Sequence, residues 1–244
     1  MTPLAIDLFC GLGGWTEGLL AEGYRVVGFD IERHRYGEAS YPARLVLQDV
    51  LTLHGAQCAN AALIVASPPC QAYSYRAMPW KRAKALPPPD NTLFEACFRI
   101  QREACEAAGW HIPMVVENVR GAQKWVGKAR YHYGSFYLWG DVPALMPITR
   151  CATKNDGGSW FKLAHNNTTK RSRNDPRYAV HIRASIGANK GLKGYASGTG
   201  NLGKSIVSRQ TSSGSSARKA ASAYIAKIPF LLARHIAAAW KPLE

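Results

Sequence analysis

The sequence predicts an α/β protein: an open, mostly parallel sheet with helices on both faces, followed by a small loop-rich lobe. Three observations carry that prediction. Short apolar runs alternate with segments of helical spacing from residue 4 to residue 119. The runs end in polar residues. Beyond about residue 150 the alternation gives way to a stretch rich in Gly, Ser, Asn, Lys and Arg. Apolar strands without polar alternation are buried on both faces, as in parallel sheets, and the ligands of such sheets gather at the carboxyl ends of the strands.

LAIDL at residues 4–8 reads as a short strand that runs into FCGLGG and then the helical pattern WTEGLLAEG. RVVGFDI at 25–31 is a second strand, and the HRYGEAS stretch after it is expected to form a short helix. AALIVA at 61–66 lacks polar alternation and reads as a strand buried on both faces. In TLFEACFRIQREACEAAG, Leu93, Ala96, Cys97, Ile100, Ala104 and Ala107 recur near helical spacing, and Gly109 is the stop. IPMVVENV at 112–119 is the next apolar strand. This pattern divides the chain into a sheet domain over 1–150, a basic lobe over 151–213 and a helical tail over 214–244 that packs back on the sheet domain. Within the lobe, GANKGLKGYASGTGNLGKS fits a disordered basic linker. Trp160, Phe161, Tyr178 and Tyr195 fit equally a small folded lobe that faces a polyanion. Helical spacing returns over 217–240, interrupted at Pro229.

Thirty-one Lys and Arg against sixteen Asp and Glu give a net charge of +15, and 47% of residues are hydrophobic. A core of useful size is feasible, and the positive field attracts polyanions, whether nucleic acid or an anionic membrane surface. No apolar stretch approaches the roughly 20 residues of a spanning helix. The chain enters a strand after MTP, with no signal-peptide pattern. A cytoplasmic protein without membrane association is the expectation. Cys10, Cys58, Cys70, Cys97, Cys105 and Cys151 form no CxxC pair and no zinc set, so no metal and reduced thiols are expected.

Three short motifs carry candidate chemistry. DLFCGLGG at 7–14 is a strand, a glycine turn and a helix start, although not the G-x-G-x-x-G spacing of dinucleotide sites. Asp30 closes the next strand, where a carboxylate can accept from a ribose diol. Asp49 in LVLQDVL either begins a turn or faces an adenine amino group. SPPCQAYS at 67–74 sets Cys70 behind Pro68 and Pro69, which restrict the backbone. Glu117 closes MVVEN, where a buried carboxylate needs a specific partner.

Together these motifs resemble the DNA cytosine C5-methyltransferases that use S-adenosylmethionine. DLFCGLGG matches that family's cofactor turn, PPCQAYS its nucleophile loop and ENV at 117–119 its acidic motif, in order and separation. The resemblance implies a Rossmann-like methyltransferase sheet that binds S-adenosylmethionine through Phe9, Gly11, Gly13, Gly14, Asp30, Ile31, Asp49 and Pro69. It also implies that the Cys70 thiolate adds to C6 of a flipped cytosine while Glu117 serves N3. TKRSR at 169–173 has the arginine spacing of the family's Gln-x-Arg-x-Arg signature with Thr169 in the Gln position. Arg171 and Arg173 are therefore candidates either for the catalytic site or for phosphate contacts. ASAYIAKIPFLLARHIA resembles the last cofactor-side segment without its Gly-Asn start. The short chain implies a reduced recognition lobe, and Arg76, Lys81, Arg82 and Lys84 are expected over the phosphate backbone. Double-stranded DNA is the implied partner, RNA the alternative acceptor, and no obligate protein partner is implied. A catalytically silent DNA-binding protein is the reading from another class. The resemblance points to a bacterial or bacteriophage source.

Overall fold

The structure, a computed structural model, describes residues 2–36, 38–74, 85–147, 219, 223–224 and 226–242. Nine strands and four α-helices run in chain order among them: β1 (Leu4–Leu8), α1 (Gly14–Ala21), β2 (Arg25–Asp30), β3 (Arg35–Tyr36), β4 (Ala39–Ser40), β5 (Arg44–Leu47), β6 (Leu63–Ala66), α2 (Thr92–Ala108), β7 (Met114–Asn118), α3 (Gln123–Val126), β8 (Tyr131–Tyr133), β9 (Phe136–Gly140) and α4 (Phe230–Ala239).

Seven strands form one sheet in the order β5-β2-β1-β6-β7-β9-β8. Pairing is parallel from β5 to β7, whereas β9 runs antiparallel to both β7 and β8. The result is a mixed, mostly parallel sheet of the Rossmann-like kind. LIVA of β6 and MVVEN of β7 are buried at every position, as central strands covered on both faces must be. On one face, Ile6, Leu8, Ile64, Met114 and Val116 pack with Phe94, Cys97, Ile100 and Ala104 of α2. On the other, Ala5, Leu63, Val65 and Val115 pack with Trp15 and Leu19 of α1 and with Leu232 and Ile236 of α4. Each Val, Leu, Ile, Phe or Met side chain among these, fully removed from water, stabilises the fold by about 1.5–3 kcal/mol. The two helices meet closely at Gly18, where an added Cβ would lie 2.4 Å from the Arg234 backbone nitrogen.

The HRYGEAS stretch corrects the expectation of a helix. It forms the two-stranded β3–β4 pair, with Arg35 opposite Ser40 and Tyr36 opposite Ala39. Seven residues interrupted by glycine are too few to offset helix nucleation, and the segment's end is instead fixed by Tyr41, whose ring reaches over β2. Gly109 at φ 78° ends α2 through its N–H bond to the Cys105 carbonyl.

Candidate active site

From β1 the chain winds outward to β2 and β5, then crosses to the other side for β6 and β7, so the order reverses between β1 and β6. Ligand crevices of open sheets lie at such reversals, outside the carboxyl ends of the strands. Leu8 and Ala66 are register partners, and the Ser67 N–H still donates to the Leu8 carbonyl at 3.2 Å. The glycine turn and the SPPC loop leave β1 and β6 directly after that pair, so they flank the reversal and the crevice expected there.

On the glycine side, Phe9, Gly11 and Gly13 all have positive φ, at 57°, 51° and 77°. Phe9 is the one non-glycine residue so placed among the described residues, a conformation that costs an aromatic residue about 1–3 kcal/mol and persists only where the surroundings impose it. The Gly11 N–H donates to Asp30 Oδ2 at 2.9 Å, and the Glu32 N–H to Asp30 Oδ1 at 3.3 Å. His34 Nε2 lies 3.5 Å from Asp30 Oδ1. Burial pushes the Asp30 pKa upward, but the hydrogen bonds from His34, Gly11 and Glu32 outweigh it and hold the carboxyl below its ordinary value. His34 is raised in turn, chiefly by its bond to Asp30. An ionised, 8% exposed carboxylate thus stands at the end of β2. In front of Gly11 the space is open: an added Cβ would meet nothing within 4 Å. Among the described residues no side chain caps the N-terminus of α1, a helix end that favours an anion. Beside Asp30, Ile31, Leu47 and Leu51 expose 73%, 53% and 43% of their surfaces, a patch of apolar side chains at a polar strand edge. Asp49 is exposed and caps the short 3-10 turn Val50–Thr52, its Oδ1 accepting from the Leu51 N–H at 2.9 Å.

Beneath the turn runs a hydrogen-bond chain that composition and motif do not reveal. Thr16 Oγ1 donates to Asp7 Oδ2 at 2.6 Å and lies 2.7 Å from the Tyr41 hydroxyl. Tyr41 and Pro42 occupy the volume that side chains at positions 28 and 13 would fill: an added Cβ would lie 2.4 Å from the Tyr41 hydroxyl at Gly28 and 2.5 Å from Pro42 Cδ at Gly13. Burial, helped by the Asp30 charge, pushes Asp7 up to about 8.

On the other side of the crevice, Pro68 and Pro69 carry the chain out of β6, and Asn118 Nδ2 donates to the Pro68 carbonyl at 3.0 Å. That bond ties the end of β7 to the cysteine loop. Cys70 has φ −97° and ψ 0°, in the sparsely populated bridge region, and opens the 3-10 turn Gln71–Tyr73. Its carbonyl accepts from Ser74 Oγ at 2.9 Å. The described cysteines differ sharply. Cys10, Cys58 and Cys97 are buried, and burial pushes Cys58 up to about 11, Cys97 up to about 12 and Cys10 higher still. Cys105 Sγ accepts from the Ile112 N–H at 3.1 Å. Cys70 is half-buried at the crevice, beside the exposed Pro69. Glu117, 4% exposed, is the penultimate residue of β7, opposite Leu138 of β9, and Trp15 Nε1 donates to Ser67 Oγ at 2.9 Å. Arg76, Lys81, Arg82 and Lys84, Arg171 and Arg173, and the whole 151–213 segment lie outside the described residues.

The family model for C-5 cytosine-specific DNA methylases matches residues 4–125, half of the chain. The chain belongs to that family. The cofactor of that family is S-adenosylmethionine, and the residues present suit this molecule. An uncapped helix start beside an open glycine suits the amino-acid carboxylate, the ionised Asp30 a ribose diol, and the Ile31, Leu47 and Leu51 patch a flat base. Among solved structures, the chain is similar to the Dnmt2 methyltransferase of S. pombe, at 16% identity and a TM-score of 0.35 over 51% of this chain and 36% of that one. It is similar to a putative DNA modification methyltransferase encoded within an E. coli prophage, at 21% identity and a TM-score of 0.35 over 51% and 34%. A third is the Entamoeba histolytica methyltransferase EhMeth, at 17% identity and a TM-score of 0.34 over 51% and 40%. The matched part spans about a third to two-fifths of those proteins. No curated protein matches the chain.

Proposed function

We propose that this chain methylates C5 of cytosine in a nucleic acid, with double-stranded DNA as the first substrate to test and RNA as the second. The observation that carries the proposal is the meeting of two strand ends. Cys70 lies in the loop that leaves β6 after Ala66, Glu117 is the penultimate residue of the neighbouring parallel strand β7, and the Asn118 to Pro68 hydrogen bond ties the end of β7 to that loop.

The C5 carbon of cytosine is a poor nucleophile until C6 is substituted. In the proposed reaction the Cys70 thiolate forms a bond to C6, and the electron pair of the C5–C6 double bond moves onto C5. Glu117 holds or supplies the proton at N3, which stabilises the charge spread over the ring. S-adenosylmethionine, when bound, would supply an electrophilic methyl group to C5, its methyl–sulfur bond breaking so that the thioether S-adenosylhomocysteine leaves. Loss of the C5 proton to water then restores the double bond as the C6–S bond breaks and the thiolate returns. A stacked base is closed to attack from both faces, so the cytosine enters the crevice flipped out of its strand. Arg171 and Arg173 remain proposed as further site residues.

Incubation with labelled S-adenosylmethionine and separate DNA and RNA pools, followed by nucleoside analysis, tests the reading. Label in 5-methylcytosine is the expected result. Tight binding of either polymer with no transfer to any nucleoside would replace it with a silent binding protein.

A further inference from the structure

Residues 118–140 contain no Asp or Glu yet carry Arg120, Lys124, Lys128 and Arg130. All four are exposed, and among the described residues none of them is in an ion pair with a carboxylate. By contrast, Arg99, Lys227 and Arg234 are matched to Glu103, Glu17 and Glu22. The charge of the chain is also partitioned along its length. Residues 1–49, which supply the glycine turn, Asp30 and Asp49, hold seven carboxylates against four arginines, so the excess of positive charge belongs wholly to residues 50–244.

A row of solvated cations is commonplace; its position here is not. The chain enters the row directly from the end of β7. Asn118 is the register partner of Tyr137, and Tyr137 the partner of His132, so the β8–β9 hairpin brings both aromatic residues level with the carboxyl edge that carries Cys70 and Glu117. His132 is exposed and stacks on Tyr137, with ring centroids 5.1 Å apart and planes inclined by 19°. The Lys124 ammonium lies 4.6 Å over the Trp125 ring. The row is also fastened to the cysteine turn. An added Cβ at Gly121 would lie 2.2 Å from the Tyr73 carbonyl oxygen. Asn91 accepts from the Tyr73 hydroxyl at 2.9 Å while its Nδ2 donates to the Trp125 carbonyl at 3.4 Å.

We propose that the strip from Arg120 to His132, with Tyr137, binds the phosphodiester backbone of the nucleic acid whose cytosine enters the Cys70 crevice. The four cations meet phosphates, and the His132–Tyr137 stack supports an unstacked base next to the target. The proposal rests on the nucleic-acid reading above and adds where the strand runs: away from the negatively charged glycine side and along β8, the last strand of the sheet among the described residues.

The test is the salt dependence of binding to duplex DNA, single-stranded DNA and RNA of one sequence. Wild type is compared with a Lys124→Gln, Lys128→Gln, Arg130→Gln triple variant. Each lost phosphate contact lowers the slope of log Kobs against log salt by about 0.9 for duplex DNA and about 0.7 for a single strand. The triple variant is therefore expected to lose roughly 2–3 units of slope and on the order of tenfold or more in affinity at low salt. Its S-adenosylmethionine affinity and melting temperature should match wild type. His132→Ala is expected to weaken single strands several-fold more than duplex, and the polymer with the largest losses identifies the source of the phosphates. If wild type binds a polymer and the triple variant binds it with the same slope and affinity, the strip is a solvated face and the inference is overturned. Failure of wild type to bind any polymer would instead overturn the nucleic-acid reading, and the inference with it.

Discussion

Asp7→Asn isolates one buried proton and gives a pH-dependent stability that can be worked out in advance. Asp7 is 1% exposed, its Oδ2 accepts from Thr16, and its Oδ1 has no hydrogen-bond partner among the described residues. Burial first and the Asp30 charge second push its pKa from 3.8 to about 8, against the opposing pull of the Thr16 bond. Between those two values the folded protein keeps a proton that the unfolded chain releases. Stability from this group is fully present below 3.8 and lost as pH rises towards 8, above which the loss is complete. Each pH unit inside the window is worth about 1.4 kcal/mol at most, so moving from pH 5.5 to pH 7.5 costs wild type roughly 1–3 kcal/mol. For a chain of this size that is on the order of 3–10 °C in Tm. Asparagine keeps the acceptor for Thr16, places an N–H where Oδ1 had no partner and does not titrate. Melts of both proteins at several pH values, without cofactor, cancel the other titrations they share. The gap between them should widen in favour of Asp7→Asn as pH rises. A gap that stays constant across the window would mean that Asp7 is ionised throughout, and the account of the chain beneath the turn would fail.

The crevice makes four further outcomes measurable. Cys70→Ser should fold and bind S-adenosylmethionine but transfer no methyl group, because a serine hydroxyl is scarcely ionised near neutral pH. A cytosine analogue that blocks the final elimination should link wild type to nucleic acid at Cys70, as peptide mass analysis can read; a link at another cysteine would refute the assignment. Glu117→Gln should leave cofactor affinity intact and lower the rate of the chemical step by on the order of a hundredfold, measured in single turnover. Asp30→Ala should weaken S-adenosylmethionine binding by tenfold or more in calorimetry, about 1.4 kcal/mol, without unfolding the protein.

The central strands were legible because they are buried on both faces: LAIDL, ALIVA and MVVEN have no other use than the middle of a parallel sheet, and their polar ends mark the ligand edge. Helix α2 was legible from spacing and from Gly109. The edge strands were not. β5 is four residues with no fully buried position, and β3 and β4 are two residues each, too short for a period of two to declare itself. The β8–β9 hairpin did leave a signal, alternating aromatics around Gly134 and Ser135 in YHYGSFYLW, which hairpin chemistry could have found.

What no local pattern could give is why the glycine turn holds its shape. Phe9 at φ 57° is strained, so something outside the turn must impose that conformation. The Tyr41 hydroxyl reaches Thr16 across 25 positions and Pro42 closes on Gly13, while Asp30 fixes the Gly11 N–H from 19 positions away. A motif such as DLFCGLGG therefore names the turn, but its geometry is set by partners at the end of β2 and directly after β4. Tyr41→Phe separates the two contributions. It keeps the ring over Gly28 and removes only the hydroxyl from the chain to Asp7. If the hydroxyl positions the turn, S-adenosylmethionine should bind about 3–10-fold more weakly while the Tm without cofactor changes little, since a single hydrogen bond is worth about 0.5–1.5 kcal/mol. Unchanged Tm and unchanged affinity would mean that Tyr41 only fills space, and a lower Tm with unchanged affinity that its hydroxyl holds the fold and not the turn.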